Sequence, residues 1–252
     1  TAESRIHRGP DGAPEANGTA EVPLVLQIPP SVRDAVRAGD GPVPLELYGH
    51  GLFGGRTELH AGWHRAHQEN LGIVAAAVDW WGMSADDLGR VSGTLREFSD
   101  FDATGERLTQ SVINFLVLDR ALRGVCGAEL TELQAPLPEG GSARIIAPER
   151  SFYYGNSQGG IMGGVVAGVA VDIERFVLGV GGMSYPIMIK RSVNWESYGA
   201  IMALGYPDPF VRDLLMVMSA SIWDLAEPST YTPHLVRDPL PDTPPKRILI
   251  QV

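Results

Sequence analysis

Phe152-Tyr153-Tyr154-Gly155-Asn156-Ser157-Gln158-Gly159-Gly160 is the stretch whose reading decides the fold of this chain. It reads as a short aromatic strand entering Gly-x-Ser-x-Gly, followed by a helix of small residues from about Ile161 to Ala170. A serine on a sharp strand-to-helix turn has its hydroxyl lifted above the sheet, and the strained backbone leaves no room for side chains two residues to either side. Gly155 and Gly159 remove those Cβ atoms. The turn also sets Ser157 at a helix N-terminus, where the dipole favours developing negative charge. Alone, the pentapeptide is a common match, and a glycine-rich turn without chemistry would read the same way. The surrounding chain has to decide.

Upstream, Glu21–Ile28 and Val43–Tyr48 read as strands separated by a short helix from Ser31 to about Ala38. The second strand runs into Gly49-His50-Gly51-Leu52-Phe53-Gly54-Gly55. A His-Gly loop after a strand, ahead of a serine turn, is a source of a second backbone donor for an oxyanion. The expected donors are the N–H groups of Leu52 and Gln158, with His50 buttressing the loop. Residues 57–70 read as a helix carrying His60, His64 and His67. That spacing would allow a metal site, but no carboxylate or cysteine pattern supports one, so a solvated face with Glu58 and Glu69 as surface charges is expected and no metal.

Gly72–Val78 is a continuous apolar run, as in a strand buried on both faces of a parallel sheet. Asp79-Trp80-Trp81-Gly82-Met83-Ser84 follows at its C-terminal end, where such sheets place ligands. Thr104–Arg123 carries a helical apolar stripe. Residues 128–150 read as an irregular excursion. Beyond the serine turn, Arg175–Val180 reads as a buried strand, followed by Gly181-Gly182-Met183-Ser184. Residues 185–227 become helical and rich in Met and Trp, including Met188, Met202, Met216, Met218, Trp195 and Trp223. A Pro-rich connection, 228–245, leads to a last strand, Arg247–Val252.

Strand–HGLFGG, strand–DWW, helix, strand–GNSQGG–helix and strand–GGMS, in this order, resemble the α/β-hydrolase superfamily in its serine esterase and lipase branch. The likeness extends to large uncharacterised secreted hydrolases of bacteria and runs from about residue 22 to the end. It implies a mostly parallel α/β sheet with flanking helices. The expected organisation is a flexible arm over 1–20, a core over 21–184, a helical cap over 185–240 and a return to the sheet over 241–252.

The resemblance also implies serine hydrolysis of a carboxylic ester through an acyl-enzyme on Ser157. Phe53, Trp80 and Met183 are the candidate pocket residues, and the tryptophans at the end of the Gly72–Val78 strand either line an acyl pocket or pack under a loop. It implies a triad order of serine, acid, histidine, yet the acid and histidine positions have no match here. They are expected outside these residues, in a missing C-terminal part or a second chain, and the sheet is expected to be truncated after 247–252. His234, with Asp224, Glu227 and Asp238 nearby, is the remaining base candidate in the chain. A non-catalytic binding protein of the same fold is the alternative from another class; a peptidase or acyltransferase would use the same nucleophile.

Composition bounds these readings. The 252 residues are 44% hydrophobic and 20% charged, ordinary for a globular chain with an ample core. A net charge of −10 argues against nucleic acid or anionic membranes as partners, and no apolar run is long enough to span a bilayer. The expected partner is a small or lipid-like ester, with no cofactor. Cys126 is the only cysteine, so no disulfide can form within the chain. The first residue is Thr1, which suggests processing upstream and a secreted or periplasmic location.

Overall fold

The computed structural model describes residues 5–252. In chain order the elements are β1 (Leu24–Gln27), α1 (Pro30–Ala38), β2 (Val43–Gly49), α2 (Gly62–Leu71) and β3 (Val74–Val78). There follow α3 (Leu88–Arg96), α4 (Asp102–Arg123), α5 (Val125–Glu129), β4 (Gln134–Pro136), β5 (Ser142–Arg144), β6 (Ile146–Asn156), α6 (Gln158–Val169) and β7 (Arg175–Gly179). The last third holds α7 (Tyr185–Met188), α8 (Trp195–Gly205), α9 (Pro209–Met218), α10 (Ala220–Trp223), α11 (Pro228–Tyr231) and β8 (Arg247–Gln251).

Six strands form one sheet in the order β1-β3-β2-β6-β7-β8. β1 is antiparallel to β3, and every other neighbouring pair is parallel. β3 is buried at all five positions, which is why its sequence is apolar without alternation. Alternation along β2 sorts the two faces. Leu45 and Leu47 join Val74, Ala76, Tyr153 and Phe176 in the large core, which also takes in Leu108, Val112 and Phe115 of α4 and Met162, Val165 and Val166 of α6. Tyr48, Ala75 and Ala77 belong to a smaller cluster on the other face, with Leu59 and Tyr154.

Three segments differ from their sequence reading. Residues 134–144 hold a two-stranded antiparallel hairpin, β4–β5, whose turn is closed by Leu137 N–H to the Gly141 carbonyl, with Gly140 and Gly141 at positive φ. β6 starts earlier than the aromatic run suggests: Val43 pairs with Ile146 and Leu45 with Ser151, so the strand bulges around Pro148, which has no N–H to give. Residues 5–8 are tied to the start of α4. Ile6 N–H and the Arg8 guanidinium reach Glu106 on α4, and Arg5 pairs with Asp102 at 3.0 Å.

The helix face expected to be solvated is not. His64 is fully buried, its ring stacked on Trp63 at 3.5 Å and edge-on to Tyr48 at 4.1 Å. Neither ring nitrogen has a hydrogen-bond partner among the described residues. Burial, and secondarily the neighbouring His67, push its pKa from 6.5 down to about 4. His67 shifts upward because its Nε2 bonds the buried Glu46 carboxylate at 2.9 Å. The three histidines therefore have separate environments: buried, paired, and, for His60, exposed.

Between pH 6.5 and 4 the unfolded chain takes up a proton at His64 that the folded chain refuses. His64 thus contributes stability that is complete above pH 6.5 and is lost as pH falls toward 4, on the order of 3 kcal/mol in all. His67 acts oppositely, adding stability below pH 6.5 that is lost as pH rises through its higher folded pKa. Comparing urea midpoints at pH 4.5 and 6.5 isolates the first effect: His64→Phe, which keeps the ring stack, should lose less stability on acidification than wild type. Equal losses would refute it.

Candidate functional site

Ser157 stands alone between β6 and α6 with φ 54° and ψ −117°, and it is exposed. A non-glycine residue there is strained, and the surroundings must hold it. Its N–H donates to the Gly179 carbonyl of β7 at 2.9 Å, and its own carbonyl accepts from Ile161 N–H at 3.0 Å. Gly159 lies against the backbone of Gly49, the last residue of β2, and a Cβ there would collide with that peptide. A Cβ on Gly155 would meet the Gly159 carbonyl, which already accepts from the Tyr153 hydroxyl at 2.7 Å. Full burial raises the Tyr153 phenol pKa well above its usual value, so it remains a donor.

Gly49 and Gly155 are register partners across β2 and β6. Leu52 and Gln158 each follow that pair by three residues, so both expected donors leave the sheet at the same level. Neither backbone N–H is used in a hydrogen bond among the described residues. The loop carrying Leu52 is fixed on several sides. Phe53, at φ 51°, donates its N–H to the Met83 carbonyl at 3.0 Å, and Gly54 donates to Gly51 at 3.0 Å. His50 is buried beneath; its Nε2 accepts from Trp80 N–H at 2.8 Å, so Nδ1 carries the proton toward the Gly51 carbonyl at 2.7 Å. Burial lowers its pKa, keeping the ring neutral. Both nitrogens are thus committed, Nδ1 to the glycine loop and Nε2 to the segment after β3, so the ring joins the two.

Glu58 is half-buried and has a role beyond a surface charge. Its carboxylate accepts the Gly51 N–H at 3.2 Å and the Tyr48 hydroxyl at 2.9 Å, tying the loop to β2. Asp79, at the end of β3, holds the next stretch through the Arg56 N–H, at 2.7 Å, and the Arg56 guanidinium. Sequence could have flagged Glu58 only by its place on the turn just after the glycine loop. Buried Asp87 bonds the N–H groups of Gly82 and Ser84 and the Arg107 guanidinium, bracing the DWWGMS segment.

Beside this loop lies a partly open cavity, about 440 Å³ counting the space continuous with solvent, bounded by Leu52, Phe53, Met83, α3, the start of α4 and the helices between β7 and β8. Phe53 lines it, but the other two expected pocket residues do not. Trp80 is 0% exposed, its ring stacked on Phe115 at 4.0 Å in the core under the sheet. Met183 is 54% exposed and stands outside the cavity. The sequence placed both correctly at strand ends, but which way a side chain points there depends on the loop. Tyr185 bridges cavity and serine turn: its hydroxyl donates to Gln158 Oε1 at 2.9 Å, and buried Glu227 accepts from the Ser184 and Tyr185 N–H groups.

His234 is not near Ser157. Pro228 packs on Gly164 and Tyr231 on Gly168, so this segment runs along α6 away from its N-terminus. Gly168 lies eleven residues past Ser157, about 16 Å along a helix. His234 Nδ1 instead bonds the Asp238 carbonyl at 2.7 Å. Lys246 closes this end: its buried ammonium donates to the Ala170 and Ile173 carbonyls, a cation at the helix C-terminus. Among the described residues, no group of three or more metal-ligating side chains occurs, and no helix is long and apolar enough to cross a membrane.

No family model matches this chain, and no curated protein matches it in sequence. Solved structures do. Acetyl xylan esterase 1 from Thermoanaerobacterium sp. JW/SL YS485 superimposes with a TM-score of 0.52 at 12% identity, covering 92% of this chain and 72% of that one. An acetyl xylan esterase from Paenibacillus sp. R4 gives 0.50 at 14% identity, covering 98% and 76%. The chain has the α/β-hydrolase fold.

The contact between Gly159 and Gly49 has a direct test. Gly159→Ala should cost about 3 kcal/mol or more in urea unfolding, since two backbones would have to separate. Gly93→Ala, at an open position inside α3, should be neutral or stabilising by up to about 1 kcal/mol. Similar effects at both positions would contradict the packing described.

Proposed function

We propose that this protein is a serine hydrolase that cleaves carboxylic esters through an acyl-enzyme on Ser157. The observation that carries the reading is the strained, exposed Ser157 at the head of α6, with two unused backbone N–H groups, those of Leu52 and Gln158, each three residues past the paired strand ends Gly49 and Gly155. Two proteins that share the fold are named as esterases, which agrees with this chemistry.

In the first half-reaction Ser157 Oγ bonds the ester carbonyl carbon. Its proton passes to a base, and the carbonyl oxygen becomes an oxyanion held by the Leu52 and Gln158 N–H groups. The C–O bond to the alcohol breaks, and the alcohol leaves with the proton. Water then attacks the acyl-serine, the acid departs, and the proton returns to Oγ. The helix N-terminus behind Gln158 adds its dipole to the two donors. Glu58 and His50 keep the Leu52 loop in place, so they act as positioning residues in this scheme.

The base and its carboxylate are proposed to come from outside residues 1–252, on the same polypeptide or a companion chain. The histidines described here support this. His50 has both nitrogens committed, His64 is buried, His67 pairs with Glu46, and His234 lies toward the far end of α6. His60 closes a turn packed over β1 and β3, and His7 faces Glu15.

With the natural protein and p-nitrophenyl butyrate, Ser157→Ala should lower kcat/KM by about three orders of magnitude or more while leaving the unfolding midpoint nearly unchanged. Turnover retained within tenfold of wild type would reject Ser157 as the nucleophile.

A further inference from the structure

The walls of the cavity beside the Leu52 loop are more specific than ester hydrolysis requires. We propose that it is the acyl-side subsite and takes a flat, uncharged aromatic acyl group. The chemistry of this inference rests on the ester-hydrolase reading; the binding it describes does not.

Position comes first. Leu52, whose N–H is the proposed donor to the carbonyl oxygen, is itself part of the wall, and Tyr185, also in the lining, bonds the side chain of Gln158, the other proposed donor. A group attached directly to the carbonyl carbon therefore meets this cavity first.

The walls then select the group. Six of the lining residues are aromatic: Phe53, Phe101, Tyr185, Trp195, Tyr198 and Trp223. The Tyr185 and Trp223 rings stack at 4.6 Å with 19° between their planes. Phe101 meets Trp223 edge-on at 5.3 Å, and Phe53 meets Tyr198 edge-on at 5.8 Å. A planar ring can extend such stacked and edge-to-face contacts, whereas an alkyl chain makes only area contacts. Met83 and Met216 add polarizable sulfurs suited to a ring edge, and Leu52, Val91, Leu95, Ile189 and Thr104 make up the rest of the lining.

No Asp, Glu, Lys, Arg or His lines the cavity. The carboxylate of Glu227, at the base of Tyr185, is taken up by the backbone N–H groups of Ser184 and Tyr185. A charged acyl group would lose its water and find no counter-ion, so it is excluded on energetic grounds.

The test compares kcat/KM of the natural protein for p-nitrophenyl benzoate, hexanoate and acetate, each corrected for its rate of alkaline hydrolysis. Benzoate should exceed acetate at least tenfold and also exceed hexanoate. Leu95→Trp, which fills the cavity from α3, should reduce the benzoate-to-acetate ratio at least tenfold; if it does not fold, Val91→Phe serves the same purpose. Preference for hexanoate or acetate, or a ratio indifferent to filling, would overturn the inference. Calorimetric binding of benzamide to Ser157→Ala separates the two readings. Benzamide bound there and lost in the filled variant, with no turnover of any ester, would uphold the subsite and reject the hydrolase. Ester turnover with neither benzamide binding nor benzoate preference would reject the subsite alone.

Discussion

The contact between two peptides without side chains, Gly49 at the end of β2 and Gly159 in the first turn of α6, governs much of the arrangement at this end of the sheet. It lets the helix start directly over the strand ends. Ser157 is then forced into its left-handed conformation, held by its N–H on Gly179 and its carbonyl on Ile161. The glycine loop leaves β2 at the level where β6 gives way to the Ser157 turn, because Gly49 and Gly155 are register partners. Strain of this kind costs on the order of 1–3 kcal/mol and persists only where neighbours over-determine it. Tyr153, Gly155 and Gly179 supply that surrounding structure.

A second tier of polar groups secures what the sheet alone does not. Glu58, Asp79 and Asp87 are carboxylates at or under the surface, and each accepts backbone N–H groups from a loop at the C-terminal end of the strands. Glu227 does the same for the start of the helical segment after β7. Such charge-assisted bonds to backbone are stronger than neutral ones and define direction as well as distance. These loops are thus anchored by acids that do not line the cavity, which stays apolar.

The parts of this structure legible in the sequence are those set by short-range rules. The continuous apolar run of β3, the glycines around Ser157 and the strand-to-helix order follow from burial and backbone sterics within a few residues. The hairpin at 134–144 was hidden because its strands are three residues each and end at Pro136 and Arg144, too short for alternation to register. His64 looked solvated because its periodicity put it beside His60 and His67, while Trp63 and Tyr48, distant in the first case by only one residue and in the second by a whole turn and loop, close over it. Trp80 and Met183 sat at the expected strand ends, but the direction of their side chains was decided by tertiary packing. The role of Glu58 depends on a loop folding back, which no periodicity encodes.

Fold and chemistry stand on different footings. The sheet order and the superposition on esterase structures establish the architecture, and many chemistries share it. The claim of function rests on one hydroxyl. Treating the natural protein with a fluorophosphonate and mapping the adduct by peptide mass tests it most directly. The account predicts a single phosphonylated residue, Ser157. An unmodified Ser157 peptide, or an adduct on another serine, would contradict it.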